Sequence, residues 1–411
     1  MKRLIFAILI ALISLQCTNN KPLPNGYELV DRDGKSGLMP PVTLKAVRTA
    51  TFRTITPVGS TTTLLLGAHQ GLSSWVVLNT RNFRSSKIDT TTDIQTMELH
   101  MFVNALTDSA LTFPVTFHQI EKSWSEYTVI ADSLTGSIAA EPLFRAEIQP
   151  KRAAWTVIPL PEIAFFKAWI KDAYAGTPTL FGLALKTQSD AMIQFASADD
   201  AFAAPFIKIR YLKTDGNQDS VNVALSADAA LLSYKDVADR MIYSPPSLRV
   251  GSGSGYRSLV QFDLSSIPAS ATVHQALLTF AVNNDSSRTR VNGRMNISVL
   301  AVDGDSAWAD AADISVIPTA SKPYDVAVDI AQTFSFDDSN SNLNAPVLYV
   351  SRTVQRWLTG AYGNDGFLLY PTDEGKDWQE MFFYSGVEDP QQSPTLTVLY
   401  SLPTENRFSN P

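Results

Sequence analysis

The sequence predicts an all-β protein: two tandem jelly-roll-like antiparallel β-sandwiches, each carrying one short helix. Three observations lead there. Thr, Ser, Val, Phe and Tyr are frequent and turn residues recur at short intervals, a composition typical of β-rich chains. The stretch Tyr256 to Val282 reads as two strands joined by a turn marked by Pro268. A series of landmarks in the first half of the chain then returns, in the same order, in the second half.

The chain has 411 residues, room for two to three ordinary domains. It is 45% hydrophobic and 18% charged, which is globular rather than disordered. The net charge of −7 lacks the basic footprint that nucleic acid requires, so nucleic acid is excluded as a partner.

Residues 1–16 read as a signal peptide. Met1-Lys2-Arg3 is positive, and Leu4 to Leu15 is an apolar run too short to span a bilayer. Cys17, the single cysteine, follows directly. The segment resembles a bacterial lipoprotein signal, which implies that Cys17 is lipidated and that the protein is exported and held on a membrane. Gln16 is larger than the residue such signals place before the cysteine, so a plain secretory signal or an uncleaved anchor stays open. Residues 17–42, rich in Asn, Lys, Pro, Gly and Asp, read as a flexible tether.

The duplication sets the expected domains, 43–214 and 220–402. Leu66-Gly67 and Ser74 to Asn79 return as Val250-Gly251 and Ser258 to Asp263 at an offset of 184 residues. Trp124 returns as Trp308 at the same offset. Trp169 returns as Trp357, and Pro205 to Tyr211 as Pro394 to Tyr400, at offsets of 188 and 189. A repeat this long is a whole domain. Lys213 to Ser220 is the expected hinge between the copies, and residues 403–411 a polar tail. One helix is expected per copy, over Ile163 to Ile170 and Val350 to Leu358, with Trp169 and Trp357 plugging the ends of the cores. Trp124 and Trp308 are assigned to the core as well.

The second copy carries a resemblance. Leu248-Arg-Val-Gly251, Arg257 to Pro268, Ala276 to Phe280, Val354 to Trp357, Gly366 to Leu369, Phe383-Tyr-Ser385 and Pro394 to Val398 resemble DNRLRE-type domains. Those domains are similar to a family of carbohydrate-binding modules with a β-sandwich fold, found on extracellular bacterial proteins. The first copy matches by position and differs in detail. The resemblance implies a sandwich at the cell envelope, at the outer membrane if the source is Gram-negative, and glycan binding as one use of it.

Residues able to carry chemistry are sparse. His69, His100, His118 and His274 are scattered, without zinc-ligand spacing. Asp303, Asp305, Asp337 and Asp338 lie in turn-like runs that could hold a structural calcium, or could be ordinary solvated loops; no other cofactor is expected. Gly251-Ser-Gly-Ser-Gly255 lacks the spacing of a nucleophile elbow and reads as a hairpin loop. The acid pairs Glu121 with Glu126 and Asp373 with Glu374 read as solvated turns, so no catalytic residue is assigned. For sugar contacts, Trp378, Tyr324 and Tyr243 are the candidates, because aromatic rings in polar loops are expected to be exposed. The expected function is a non-catalytic exported lipoprotein with a structural, adhesion or attachment role. The alternative is binding of extracellular polysaccharide, and behind it stands a glycoside hydrolase or other hydrolase. The expected partners are a membrane through the lipid anchor, polysaccharide and envelope proteins.

Overall fold

A computed structural model describes residues 37–403 except 55–56, 81, 86–87, 109–111, 176–178, 235–240, 289–293, 303–307, 309–331, 336–346 and 373. Cys17, Tyr324, Asp303, Asp305, Asp337 and Asp338 lie outside the described residues. The first half contains β1 (Val42–Arg53), β2 (Thr63–His69), β3 (Leu72–Asn79), β4 (Asp93–Leu106) and β5 (Phe113–Gln119). A one-turn helix α1 (Ala131–Leu134), β6 (Phe144–Ile148), β7 (Ala154–Pro159) and helix α2 (Ile163–Tyr174) follow. Next come β8 (Leu183–Lys186), β9 (Met192–Ala196), β10 (Phe206–Leu212), β11 (Gln218–Ala224) and β12 (Ala227–Tyr234). The second half contains β13 (Ile242–Tyr243), β14 (Ser247–Gly251), β15 (Tyr256–Phe262), β16 (Thr272–Thr279), β17 (Arg294–Ala301) and β18 (Gln332–Ser335). It ends with β19 (Val347–Tyr349), helix α3 (Ser351–Leu358), β20 (Phe367–Pro371), β21 (Glu380–Tyr384) and β22 (Thr395–Ser401).

The fold is all-β, built from large curled antiparallel sheets. The two strands expected within Tyr256 to Val282 are present as β15 and β16. One path runs β11-β10-β4-β9-β2-β3-β8-β5-β6, with β12 on β3 and β7 on β4. The other runs β18-β17-β20-β15-β1-β22-β16-β19, with β13 on β1 and a separate β14-β21 pair. Each path folds over a core of its own. Leu64, Val76, Leu99, Phe117 and Phe195 belong to the first core, and Val260, Leu278, Val299, Phe367 and Val398 to the second.

The helices close these cores as expected. Trp169 of α2 is 2% exposed and meets Phe83 edge-on at 5.5 Å; Trp357 of α3 lies 4.7 Å from Phe367. Helix α3 stops at Gly360, where φ is +70° and the Ala361 N–H reaches back to the Arg356 carbonyl. Only glycine takes that left-handed turn without strain. The duplication is visible in single bonds. The Trp124 indole N–H donates to the Phe181 carbonyl at 2.9 Å, and the Trp308 indole N–H donates to the Asp365 carbonyl at 2.6 Å. Donor and acceptor both move by the same 184 residues.

The boundaries expected at 214 and 220 need correction, because the strand pairing crosses them. β1 opens the chain yet pairs with the second half. Val42 to Lys45 lie against β22, and Ala46 to Arg53 against β15, with a register shift between Ala46 and Arg48. β11 and β12 do the same for the first half, β11 lying against β10 and β12 against β3. Each repeat's opening strand therefore turns the corner between the two layers of the other repeat's sandwich. The first unit is continuous and ends at Tyr234. The second consists of residues from about 242 onward plus the strand at the N-terminus, so the first unit is nested inside it. Lys213 to Asn217 is not a hinge but the hairpin turn between β10 and β11. Lys213 N–H reaches the Asn217 carbonyl, and the Asp215 carboxylate accepts the Asn217 N–H at 2.9 Å. Alternation reveals a strand and its two faces, but it carries no information about the partner.

This topology predicts unequal fragments. Residues 57–235 should unfold cooperatively on their own, measured by circular dichroism against denaturant. Residues 236–403 should not, until a peptide spanning 38–54 is added. A cooperative transition in the second fragment alone would refute the nesting.

Candidate functional site

The strands β7, β4, β10 and β11 form one layer of the first unit, and their residues alternate strictly. Met97, Leu99, Met101, Ile158, Ile207, Ile209 and Val223 point into the core. The opposite face carries rows set by the register. Trp155 lies beside Phe102; Val157, His100 and Phe206 follow one another across three strands; Pro159, Glu98, Lys208 and Asn222 do so across four. The rings touch. Phe102 and Trp155 are 5.5 Å apart, Trp155 and Phe206 5.4 Å, and His100 stacks on Phe206 at 4.6 Å. Trp155 is nevertheless 42% exposed and Val157 47%. At the aromatic end, Trp155 and Val157 also line an open groove of about 570 Å³ with Glu147, Gln149, Lys151 and Thr112. At the polar end, Glu98 accepts from Arg210 and pairs with His100, both at 3.2 Å.

Four strands at about 4.8 Å spacing make this face about 14 Å across. It offers ring faces for C–H groups beside fixed donors and acceptors, the combination that a sugar ring requires. The interplanar angles of 74° and 61° between neighbouring rings make the surface stepped rather than flat. A stepped face suits one flexible chain better than a crystalline plane.

The second repeat shows what the fold itself requires of these positions. There β16 and β22 pair as β4 and β10 do, and Thr279 faces Thr395 where His100 faces Phe206. Further along the same face Thr43 and Thr397 share a hydroxyl hydrogen bond at 3.1 Å. Inward positions stay apolar in both repeats, while the stacked His100–Phe206 pair occurs in one; the second repeat carries a single ring on that face, Tyr349, opposite Leu277. The aromatic cluster is thus not a requirement of the sandwich.

The residues expected from sequence to contact sugar lie elsewhere. Trp378 is 8% exposed, a correction to its expected exposure. It comes from the second unit and packs on Val58, Leu65, Leu72, Met192 and Ala230 of the first, with its ring 6.2 Å from His69. The polar residues around it are themselves engaged. Asp377 accepts the Trp378 N–H and the Gln379 amide, each at 2.8 Å, and the Lys376 carbonyl accepts from Thr63 and Gln194 across the junction. Tyr243 is 44% exposed, but its hydroxyl donates to the Trp308 carbonyl and it borders Arg48, whose guanidinium lies 4.2 Å over Trp308. Neither residue reaches the aromatic face. Trp155 gives no sequence signal of exposure because 154–160 is apolar on both of its faces, and Phe206 reads only as part of the repeated strand 205–211. That same two-sided pattern was the available signal.

The junction between the units is polar as well as apolar. Glu380 is 3% exposed and accepts from Arg249 at 2.7 and 3.0 Å, and from Arg288 at 3.5 Å. Arg249 lies 3.7 Å over the Tyr256 ring, while Arg288 reaches the Gln70 carbonyl of the first unit. Burial opposes the Arg249 charge, but Glu380 outweighs it and holds the pKa above its ordinary value. Arg257 binds Glu374 through two nitrogens at 2.9 and 2.7 Å. The loop Gly251–Gly255 is a tight turn, closed by the Gly255 N–H on the Gly251 carbonyl. With Arg53, Tyr234, Asp132 and Glu374 it lines an inter-unit cavity of about 130 Å³. Among the described residues no group of three His, Cys, Asp or Glu could hold a metal ion, and no helix is long and apolar enough to cross a membrane.

No protein-family model matches the chain, and no curated protein aligns with it significantly.

One buried acid bears on stability. Asp228 of β12 is fully buried; one carboxylate oxygen accepts the Ala198 N–H at 2.7 Å, and the other has no partner among the described residues. Burial raises its pKa from 3.8 to about 7 against that hydrogen bond, with Asp199 and Glu126 adding to the rise. The folded state then holds a proton that the unfolded state has released between pH 4 and 7. This contribution is fully present below pH 4, is lost as pH rises to 7, and is constant above. Asp228→Asn should remove that loss, raising stability at pH 8 relative to pH 5 by up to about 2.7 kcal/mol compared with wild type. Denaturation midpoints at the two pH values check this; parallel shifts in both proteins would refute it.

Proposed function

We propose that this chain is a non-catalytic attachment protein of the cell envelope, which binds polysaccharide on the outer sheet face of its first unit. The observation that carries the reading is the outward cluster of Phe102, Trp155, His100 and Phe206, whose His100–Phe206 pair is replaced by two threonines in the other repeat. Two copies of a fold share what the fold needs, so a difference confined to the solvent face points to a use. The resemblance to DNRLRE-type domains, and through them to carbohydrate-binding modules, supports the same reading. The N-terminal segment supports export and an anchor at Cys17.

Binding on such a face needs no chemical step. The apolar face of a sugar displaces water from Trp155 and Phe206, which are already half-ordered by their neighbours, so little side-chain entropy is lost. Glu98, Lys208 and Arg210 then orient the hydroxyl groups. An open face, unlike a closed pocket, accepts the interior of a chain as readily as its end.

Affinity electrophoresis through gels containing soluble polysaccharides tests the proposal. The protein should be retarded by at least one of them, and Trp155→Ala should lose roughly tenfold in affinity, about 1.4 kcal/mol, with an unchanged melting temperature. Trp378→Ala should lower the melting temperature instead, leaving retardation intact below it. Retardation that survives in Trp155→Ala would overturn the assignment of the face. The anchor has its own check: mass spectrometry of the mature N-terminus should find an acylated Cys17, and an unmodified cysteine would remove the lipid.

A further inference from the structure

The second unit is completed by a strand that lies, in sequence, beyond the whole of the first. β1 fills a slot between β22 and β15, and the contact is extensive. Ala50, Thr51 and Phe52 are at most 1% exposed, and the hydroxyls of Thr51 and Ser258 share a buried hydrogen bond at 2.9 Å. Pairing continues upstream of β1: Met39 N–H donates to the Tyr400 carbonyl, and Leu402 N–H to the Gly37 carbonyl. The segment 37–53 is thus a single clasp seated in a slot made wholly of second-unit strands.

The two repeats show where such a slot obtains its strand. Within this one molecule both slots are filled crosswise, each by the opening strand of the other repeat. The sandwich is therefore one that accepts its corner strand from another copy of itself. We propose that the slot of the second unit is also an assembly site between molecules, in which β1 of one chain seats in the second unit of another and a reciprocal dimer closes.

The contacts across that interface are those already made within one chain, so exchange alters only the connection between β1 and β2 and the entropy of association. That connection is nine residues long, 54–62, and includes Pro57 and Gly59. β1 is joined to the first unit through its C-terminal end alone, so it can leave the slot as a unit. The partner is a second copy of this chain because the slot reads register and pattern on both faces: Thr49 on Val260 and Thr51 on Ser258 towards the interior, Ala50 and Phe52 packed with Leu259 and Trp308 on the other face. The proposal does not depend on polysaccharide binding.

Cross-strand thiols test it. Two versions of the full chain, both carrying Cys17→Ser, one with Thr51→Cys and the other with Ser258→Cys, are co-expressed and oxidised. A disulfide joining the two versions, at twice the 45.0 kDa chain mass, is the expected product. Placing both cysteines in one chain reports whether this pair of positions couples at all. If that chain closes its own disulfide and the mixture yields no joined species, exchange does not occur. Native mass spectrometry of the wild-type protein is independent of thiol chemistry: dimers support the proposal, and monomers alone at every concentration overturn it.

Discussion

The pairing of β1 with β15 on one side and β22 on the other is the constraint on which this architecture rests. Seven registered partners on β15, four on β22 and two on β13 hold the strand. The register shift near Ala46 allows it to leave one layer and enter the other. A bulge of this kind bends a strand and strengthens its twist, which is what closing two layers into a sandwich requires. Without it, β15 and β22 would both present open edges, and Phe262 and Leu396 would lose part of their cover. The first unit solves the same problem with two shorter strands, β11 and β12, separated by Leu225 and Ser226.

The crossing of strands also explains why the junction between the units is so heavily built. Two sandwiches that share strands reciprocally cannot drift apart, and the surfaces held together have adapted. A tryptophan from the second unit covers the outer face of β2 and β9, and a buried carboxylate gathers two guanidinium groups above it. Removing Glu380 would leave Arg249, largely covered by the Tyr256 and Phe382 rings, without this carboxylate, which costs more than the pair contributes when intact. Polar residues occur there because buried polar groups are satisfied in networks, not because the loop faces solvent.

That point marks where the sequence was legible and where it was not. Strands, helices and the duplication were readable, since inward alternation and the spacing of Trp124, Trp169, Trp308 and Trp357 are consequences of local packing. The exchange of β1 was not, because a strand's own side chains do not name its neighbour. The stretch Glu374-Gly-Lys-Asp-Trp-Gln looked solvated because its composition is polar, yet its carbonyls and carboxylates bond inward and the tryptophan follows them. Conversely, nothing in the sequence singles out 154–160: both of its faces are apolar, and only the layer order reveals which of them is outside.

The position of β1 has a mechanical consequence. Its upstream end continues towards residues 1–36 and its downstream end into the first unit, so a pull between them runs along this one strand. The body of the second unit lies beside that line rather than in it. Its hydrogen bonds to β1 are then strained together, in shear, instead of opening one after another from an end. The second unit thus acts as a grip around a taut cord, resisting slippage while carrying little tension itself.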